Sequence, residues 1–247
     1  MVRRGADLRL RRPVVWVVGA SRGIGREIAG RFAAIGCEVC LSSRKSSDLE
    51  SAVRQIRRLG GKAHSFPCDI RKIGSVSSTA RRIRRDVGDV EVLVNNAGVT
   101  VFKTFMKTSL KEFGAILETN LLGQITSIKA VLPSMVRRRG GHIFNILSNA
   151  AIKTFEGSSA YTAAKAGMFG LGKVLREEMK THHVKIVNIL PGATETMMWS
   201  AALRKKYSSR MMKPSSVAEA VLAVYRMPDD AVVDEMVIRP ILGDLGG

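Results

Sequence analysis

Short, largely apolar runs alternate along the chain with longer stretches whose apolar residues recur every three to four positions. The first kind predicts strands and the second amphipathic helices. Strands are expected at 13–18, 37–41, 63–66, 90–94, 142–147, 184–190 and 235–239, and helices at 26–35, 47–59, 73–87, 110–139, 158–179 and 215–226. The 110–139 helix is marked by Phe113, Leu117, Leu121, Ile125, Ile128, Leu132 and Met135 on one helical period. Gly36, the Gly60-Gly61 pair and Pro191-Gly192 punctuate the pattern. Residues 194–213, rich in methionine and basic groups, follow neither period. Apolar strands alternating with helices predict an α/β fold, a doubly wound parallel sheet of about seven strands with helices on both faces. Neither a linker nor an internal repeat divides it, so residues 13–247 read as a single domain behind a basic extension at 1–12.

That architecture puts ligands beyond the carboxyl ends of the strands. Gly19, Asn95, Ser148 and Pro191 all fall at such ends and should share one rim. Candidate chemistry gathers there. Tyr161 and Lys165 stand four apart in an Ala-rich helix, on one face about a turn from each other. Ser148 closes the strand before them. A free tyrosine titrates near 10, too high for base work at neutral pH, and a neighbouring cation lowers that value. The spacing alone also fits an ordinary helix with a surface lysine. Gly19-x-x-x-Gly23-x-Gly25, between the first strand and first helix, suits a dinucleotide pyrophosphate, because its N–H groups and the helix dipole receive phosphate oxygens.

Together these residues resemble the short-chain dehydrogenase/reductase superfamily over about residues 13–240. The matching set is Gly19-Ala-Ser-Arg-Gly23-Ile-Gly25, Asp69, Asn95-Asn-Ala-Gly98, Asn120, Ser148, Tyr161-x-x-x-Lys165 and Pro191-Gly192. The resemblance implies a Rossmann-type fold and an enzyme that reduces a carbonyl by hydride transfer, with Asn120, Ser148, Tyr161 and Lys165 as catalytic residues. Tyr161 would be the general acid, Ser148 would hold the substrate oxygen, and Lys165 would bind the nicotinamide ribose and lower the tyrosine pKa. Asn120 would anchor a proton-relay water; its plainer role is a buried helix asparagine bonded to nearby backbone. The implied cofactor contacts are Gly19, Ser21, Arg22, Gly23, Ile24 and Gly25 in the turn, with Ser43 and Arg44 after the second strand. Asp69 and Ile70 would meet the adenine, and Asn95, Ala97 and Gly98 the adenosine side. Tyr161, Lys165, Pro191, Gly192, Thr194 and Thr196 would surround the nicotinamide. Val18 replaces the family's usual threonine, without loss of a catalytic group.

NADP(H) is expected over NAD(H). An NAD site carries a carboxylate near the end of the second strand; here Leu41-Ser-Ser-Arg44-Lys45 has none before Asp48, and Arg22 and Arg44 suit an added phosphate. The substrate is expected to be an apolar carbonyl or alcohol, lined by residues 99–105, 150–155 and 197–199. The C-terminal stretch, Val237-Ile-Arg-Pro-Ile-Leu-Gly-Asp-Leu-Gly-Gly, looks more like carbonyl or sepiapterin-type reductases than 3-oxoacyl carrier-protein reductases, which remain the alternative.

Composition adds limits and one puzzle. The net charge is +19, with arginine clusters at 3–4, 9–12, 54–58, 81–85 and 137–139 and a basic triplet at 204–206. Most sit on polar helix faces, where the simplest outcome is a solvated surface. Such a field also suits an acidic carrier protein, an anionic membrane or nucleic acid. Aromatics are 5% and no nucleic-acid module is present, so nucleic acid is not expected, although a nucleotide-binding regulator on this scaffold stays open. No apolar run reaches the length of a membrane span. Three cysteines point to a reducing, cytoplasmic setting. Cys37 and Cys40 should face opposite sides of the sheet. His182-His183 would close the Tyr161 helix, and the four histidines show no metal spacing. By resemblance the 110–139 and 158–179 helices are dimer faces, giving a homodimer or homotetramer.

Overall fold

The computed structural model describes residues 12–245; the expected extension at 1–12 lies, but for Arg12, outside them. Seven strands form one parallel sheet in the order β3-β2-β1-β4-β5-β6-β7. They are β1 Val14–Val18, β2 Glu38–Ser42, β3 Lys62–Ser65, β4 Val90–Asn95, β5 Gly141–Ile146, β6 Val184–Pro191 and β7 Glu235–Ile238. The helices are α1 Gly23–Ala34, α2 Ser46–Arg58, α3 Ile73–Asp86, α4 Leu110–Leu117, α5 Gly123–Arg138, α6 Ser159–Met179, α7 Ala201–Tyr207 and α8 Pro214–Tyr225.

Two apolar cores sandwich the sheet because alternate strand residues point to opposite faces. Val15 and Val17 pack with Phe32 of α1, Ile56 of α2 and Val221 of α8. Val14, Trp16 and Val18 pack with Ile83 of α3, Met135 of α5 and Met168 of α6. Cys37 and Cys40 enter different cores, as their spacing predicts. Burial raises the pKa of both thiols.

Three departures from the sequence reading matter. The expected single helix at 110–139 is interrupted by a π-helical turn, Glu118–Leu122, which carries Asn120. The stretch at 194–213 contains α7, capped by Ser200, whose hydroxyl accepts from the Leu203 N–H. The Tyr161 helix ends at Met179 as expected, but a 3-10 turn, Lys180–His182, separates it from the closing His183. The last strand pairs β6 in parallel, so the sheet reverses order once, between β1 and β4. That is the crevice where this architecture takes its ligands.

Candidate active site

A ladder of asparagines sets the floor of the site. Asn95, Asn145 and Asn188 stand in register on β4, β5 and β6 and are wholly buried. Asn95 donates to Asn145 (3.2 Å), Asn145 to Asn188 (3.0 Å), and Asn188 to the Phe169 carbonyl of α6 (3.4 Å). Gly172 rests directly on Asn188: a Cβ there would lie 2.4 Å from Oδ1. The ladder therefore fixes how closely α6 docks, and with it the height of Tyr161 and Lys165. Asn95, expected on the adenosine side, spends its side-chain amide in this ladder instead.

The glycine turn is braced from two sides. Gly19 and Ala20 donate to the Ser42 carbonyl (2.7 and 3.1 Å), and Asn96 donates through Nδ2 to the Gly19 carbonyl (2.8 Å). These bonds brace the turn without a hydroxyl at Val18. Gly19 and Gly23 adopt left-handed backbone, with φ of 85° and 58°. A side chain on Gly25 would strike the Gly19 carbonyl at 2.3 Å, and one on Gly19 would strike the Ala97 backbone at 2.7 Å. The turn fits a pyrophosphate because its backbone can be approached closely. Its helix, α1, has neither a side-chain cap nor an acidic residue in its first turn. Thr196 lies against Gly23, its methyl 3.4 Å from where a Cβ would stand, so the stretch after β6 does reach this turn. Ser21 and Ile24 are partly buried in the same turn.

Beyond β2, Arg22 and Arg44 are exposed and Ser43 is half-buried. Asp69 is held by Arg71 through two bonds (2.9 and 2.7 Å). That pairing, with Arg44 adding to it, keeps its carboxyl below the usual range. Ile70 packs against Gly123, at the start of α5.

At the other end of the rim, Ser148 follows β5 and caps a 3-10 turn, Asn149–Ala151, by accepting from the Ala150 N–H (3.1 Å). Ser148 also lies close enough to Tyr161 to pull the phenol's pKa down. Lys165 is buried, with Nζ 5.6 Å from the Tyr161 ring centre and 2.8 Å from the Ile146 carbonyl it donates to. Asn120 bonds the Val99 backbone on both sides, accepting from N–H and donating to C=O at 2.8 Å each. This is the plainer of its two expected roles. Yet a Cβ on Gly98 would sit 3.4 Å from Asn120 Oδ1 and 3.8 Å from Lys165 Nζ, so the three meet in one small space. The π turn is what brings Asn120 there, a common use of such turns.

Burial, rather than Lys165, dominates the titration of the tyrosine. Burial pushes Tyr161 up to about 12, opposed only by the neighbouring Ser148 hydroxyl. Burial pushes Lys165 down to about 7. Both charged forms lose water, and the ammonium is bonded to a carbonyl rather than to the phenol.

In the segments expected to line the substrate, Phe102 and Trp199 stack with ring centres 5.1 Å apart and planes 17° from parallel. Trp199 is held by its indole N–H on the Thr194 carbonyl (3.1 Å). Thr194 itself is buried and donates to the Gly192 carbonyl (3.0 Å), which leaves its hydroxyl committed to the backbone. Pro191 is buried at the end of β6. Sequence reasoning missed Ser42, Asn96, Asn145, Asn188 and Gln124, whose Nε2 donates to the Ala97 carbonyl (2.8 Å). Asn145 and Asn188 did leave a signal, as polar residues inside apolar strands.

The short chain dehydrogenase model matches residues 13–207. The chain belongs to the short-chain dehydrogenase/reductase family. As such it is an NAD(P)-dependent oxidoreductase. A sepiapterin reductase of Chlorobaculum tepidum is 34% identical over 239 residues, covering 94% of this chain and 98% of its own. A human 3-oxoacyl-[acyl-carrier-protein] reductase is 33% identical over 182 residues, covering 74% of this chain and 76% of its own. A metagenomic short-chain oxidoreductase solved in complex with NADP superposes with a TM-score of 0.83 at 31% identity, covering 94% and 98% of the two chains. Among the described residues of this short-chain dehydrogenase/reductase, no helix is long and apolar enough to cross a membrane.

Proposed function

We propose that the protein is an NADPH-dependent carbonyl reductase. The observation that carries this reading is the meeting of Ser148, Tyr161, Lys165, Asn120 and Gly98 beside a glycine turn shaped for a pyrophosphate. A nicotinamide cofactor held by the glycine turn and the stretch after β6 would supply the hydride for the carbonyl carbon. Tyr161 gives its phenolic proton to the carbonyl oxygen, and Ser148 holds that oxygen by a hydrogen bond. A phenol kept protonated by burial is ready to act as the acid in this direction. Lys165, brought close to neutral pH, exchanges protons with the phenol side of the site and steadies the negative charge left on Tyr161.

Preference for NADPH is supported by Ser43 at the position of the usual carboxylate, by the free surface offered by Arg22 and Arg44, and by the NADP-bound relative. Phe102, Trp199 and the exposed Met197 and Met198 support an apolar substrate. Exposed Leu110, Leu122 and Val174 on α4, the π turn and α6 support burial of these faces in a homodimer.

A second reading, reduction of a 3-oxoacyl group on an acidic carrier protein, is favoured by the +19 charge and by the human relative. One screen tests both: NADPH oxidation against apolar ketones, small 3-oxoacyl thioesters and the same acyl group on a carrier protein. Turnover of the small ketones supports carbonyl reduction. Turnover confined to the carrier-bound form replaces it with the second reading, and oxidation of NADH in preference to NADPH defeats the cofactor assignment.

A further inference from the structure

Among the described residues, the other acidic groups paired with lysine or arginine keep side chains at least 19% exposed. Asp244 differs, for its side chain is 4% exposed. Its Oδ1 accepts from Asn149 Nδ2 at 2.6 Å and its Oδ2 from Lys153 Nζ at 2.9 Å. Arg239 Nη1 lies 3.7 Å from Oδ2, and Arg210 donates to the backbone carbonyl at 3.4 Å. The carboxylate also presses on the turn after β6: a Cβ on Gly192 would stand 3.3 Å from Oδ1. A tight turn closed by the Gly243 N–H on the Pro240 carbonyl delivers it there. Burying a carboxylate is costly unless it is paired and hydrogen-bonded. Here one is buried and supplied with partners from two separate segments, 149–153 and Arg239.

The Asn149 bond has a directional consequence. With Nδ2 facing a carboxylate, the amide oxygen must turn the other way, because a flipped amide would set two acceptors 2.6 Å apart. Oδ1 then faces the Ser148 hydroxyl, at 3.4 Å. Ser148 in turn stands beside Tyr161, near enough to act on its phenol. The contacts form one line, from Asp244 through the Asn149 amide and the Ser148 hydroxyl to the Tyr161 phenol.

We propose that Asp244 is a positioning residue for the Ser148–Tyr161 pair, acting through the Asn149 carboxamide and tying the loop after Ser148 to the Gly192 turn. The catalytic part of this statement rests on the carbonyl-reductase reading above. Misplacement of reacting groups by about 1 Å costs on the order of 100-fold in rate. Asp244→Ala is therefore expected to lower kcat by about 10- to 100-fold while leaving the NADPH Kd within about threefold. Asn149→Ala should lose a similar factor, and the double variant should be no worse than about twofold beyond the weaker single, because both break one line. Asp244→Asn keeps an acceptor for Asn149 and should recover most of the loss. Hydrogen exchange of the amides at 150–153 should quicken in Asp244→Ala, with the amides of α1 unchanged. That exchange needs no substrate, so a wild-type protein without turnover would sink the reductase reading and still leave the tie to be judged. If Asp244→Ala fails to fold, Asn149→Ala and Asp244→Asn carry the same comparison. Unchanged kcat in Asn149→Ala, losses that multiply in the double variant, or unchanged exchange at 150–153 would overturn the proposal.

Discussion

The two ends of the strand-end rim hold their charges in opposite ways. Near β2 the charged groups face water: Arg22 and Arg44 are exposed, and Asp69 is matched with Arg71 at a partly open surface. Near β5 and β6 the ionisable groups are inside, Tyr161 at 8% and Lys165 at 2% exposure. An exposed charge stays in water and acts on whatever anion arrives. A buried one has its own titration rewritten, and the fold bears that cost. In the proposed function, the first end chooses the ligand and the second moves a proton.

Four substitutions sharpen this contrast. Lys165→Met should bring the largest change, a fall in kcat of about 1,000-fold in steady-state assays. It should also stabilise the protein, and more at pH 6 than at pH 9. The folded lysine titrates near 7 against 10.5 for the ordinary side chain. Between those values the unfolded chain binds the extra proton, so wild-type stability rises with pH through this window, and the penalty relieved by methionine is greatest below it. Thermal melts at the two pH values measure the difference.

Asn145→Leu breaks the ladder beneath both ends. It strands the Asn95 amide and the Asn188 carbonyl oxygen in the sheet, at a cost of about 3 kcal/mol in urea unfolding. Cofactor preference should not change. Arg44→Ala touches only the exposed end and should weaken NADPH by about 30-fold, with NADH affinity little altered, in fluorescence titrations. Trp199→Ala, which removes one plate of the stack with Phe102, should raise KM for apolar ketones by about fivefold, on the order of 1 kcal/mol for an aromatic pair, and leave kcat nearly intact.

How much of this is legible in the sequence differs between the ends as well. The glycine turn and Arg44 depend on local sequence, and the structure keeps them at the strand ends where the apolar pattern puts them. Most strand and helix boundaries also hold to within about three residues. The buried end depends on closure of the whole chain. The π turn at Asn120 is invisible in the periodicity, because the apolar stripe from Phe113 to Met135 runs through it without a break. The tie from Asp244 to Asn149 joins residues 95 positions apart. The titration of Tyr161 escapes the sequence for a related reason: the cation at Lys165 can be read from spacing, but the absence of water around both groups cannot. Asn145 and Asn188 lie between these cases, visible as polar residues in apolar strands but interpretable only once β5 and β6 are paired.

The central claim is that Tyr161 moves a proton at a site already able to hold the cofactor. Paired titration and turnover of Tyr161→Phe against the wild type tests it most directly. The account predicts an NADPH Kd within about threefold of wild type and ketone reduction lowered by about 1,000-fold or more. A Tyr161→Phe variant that still reduces ketones within about tenfold of the wild-type rate would contradict it.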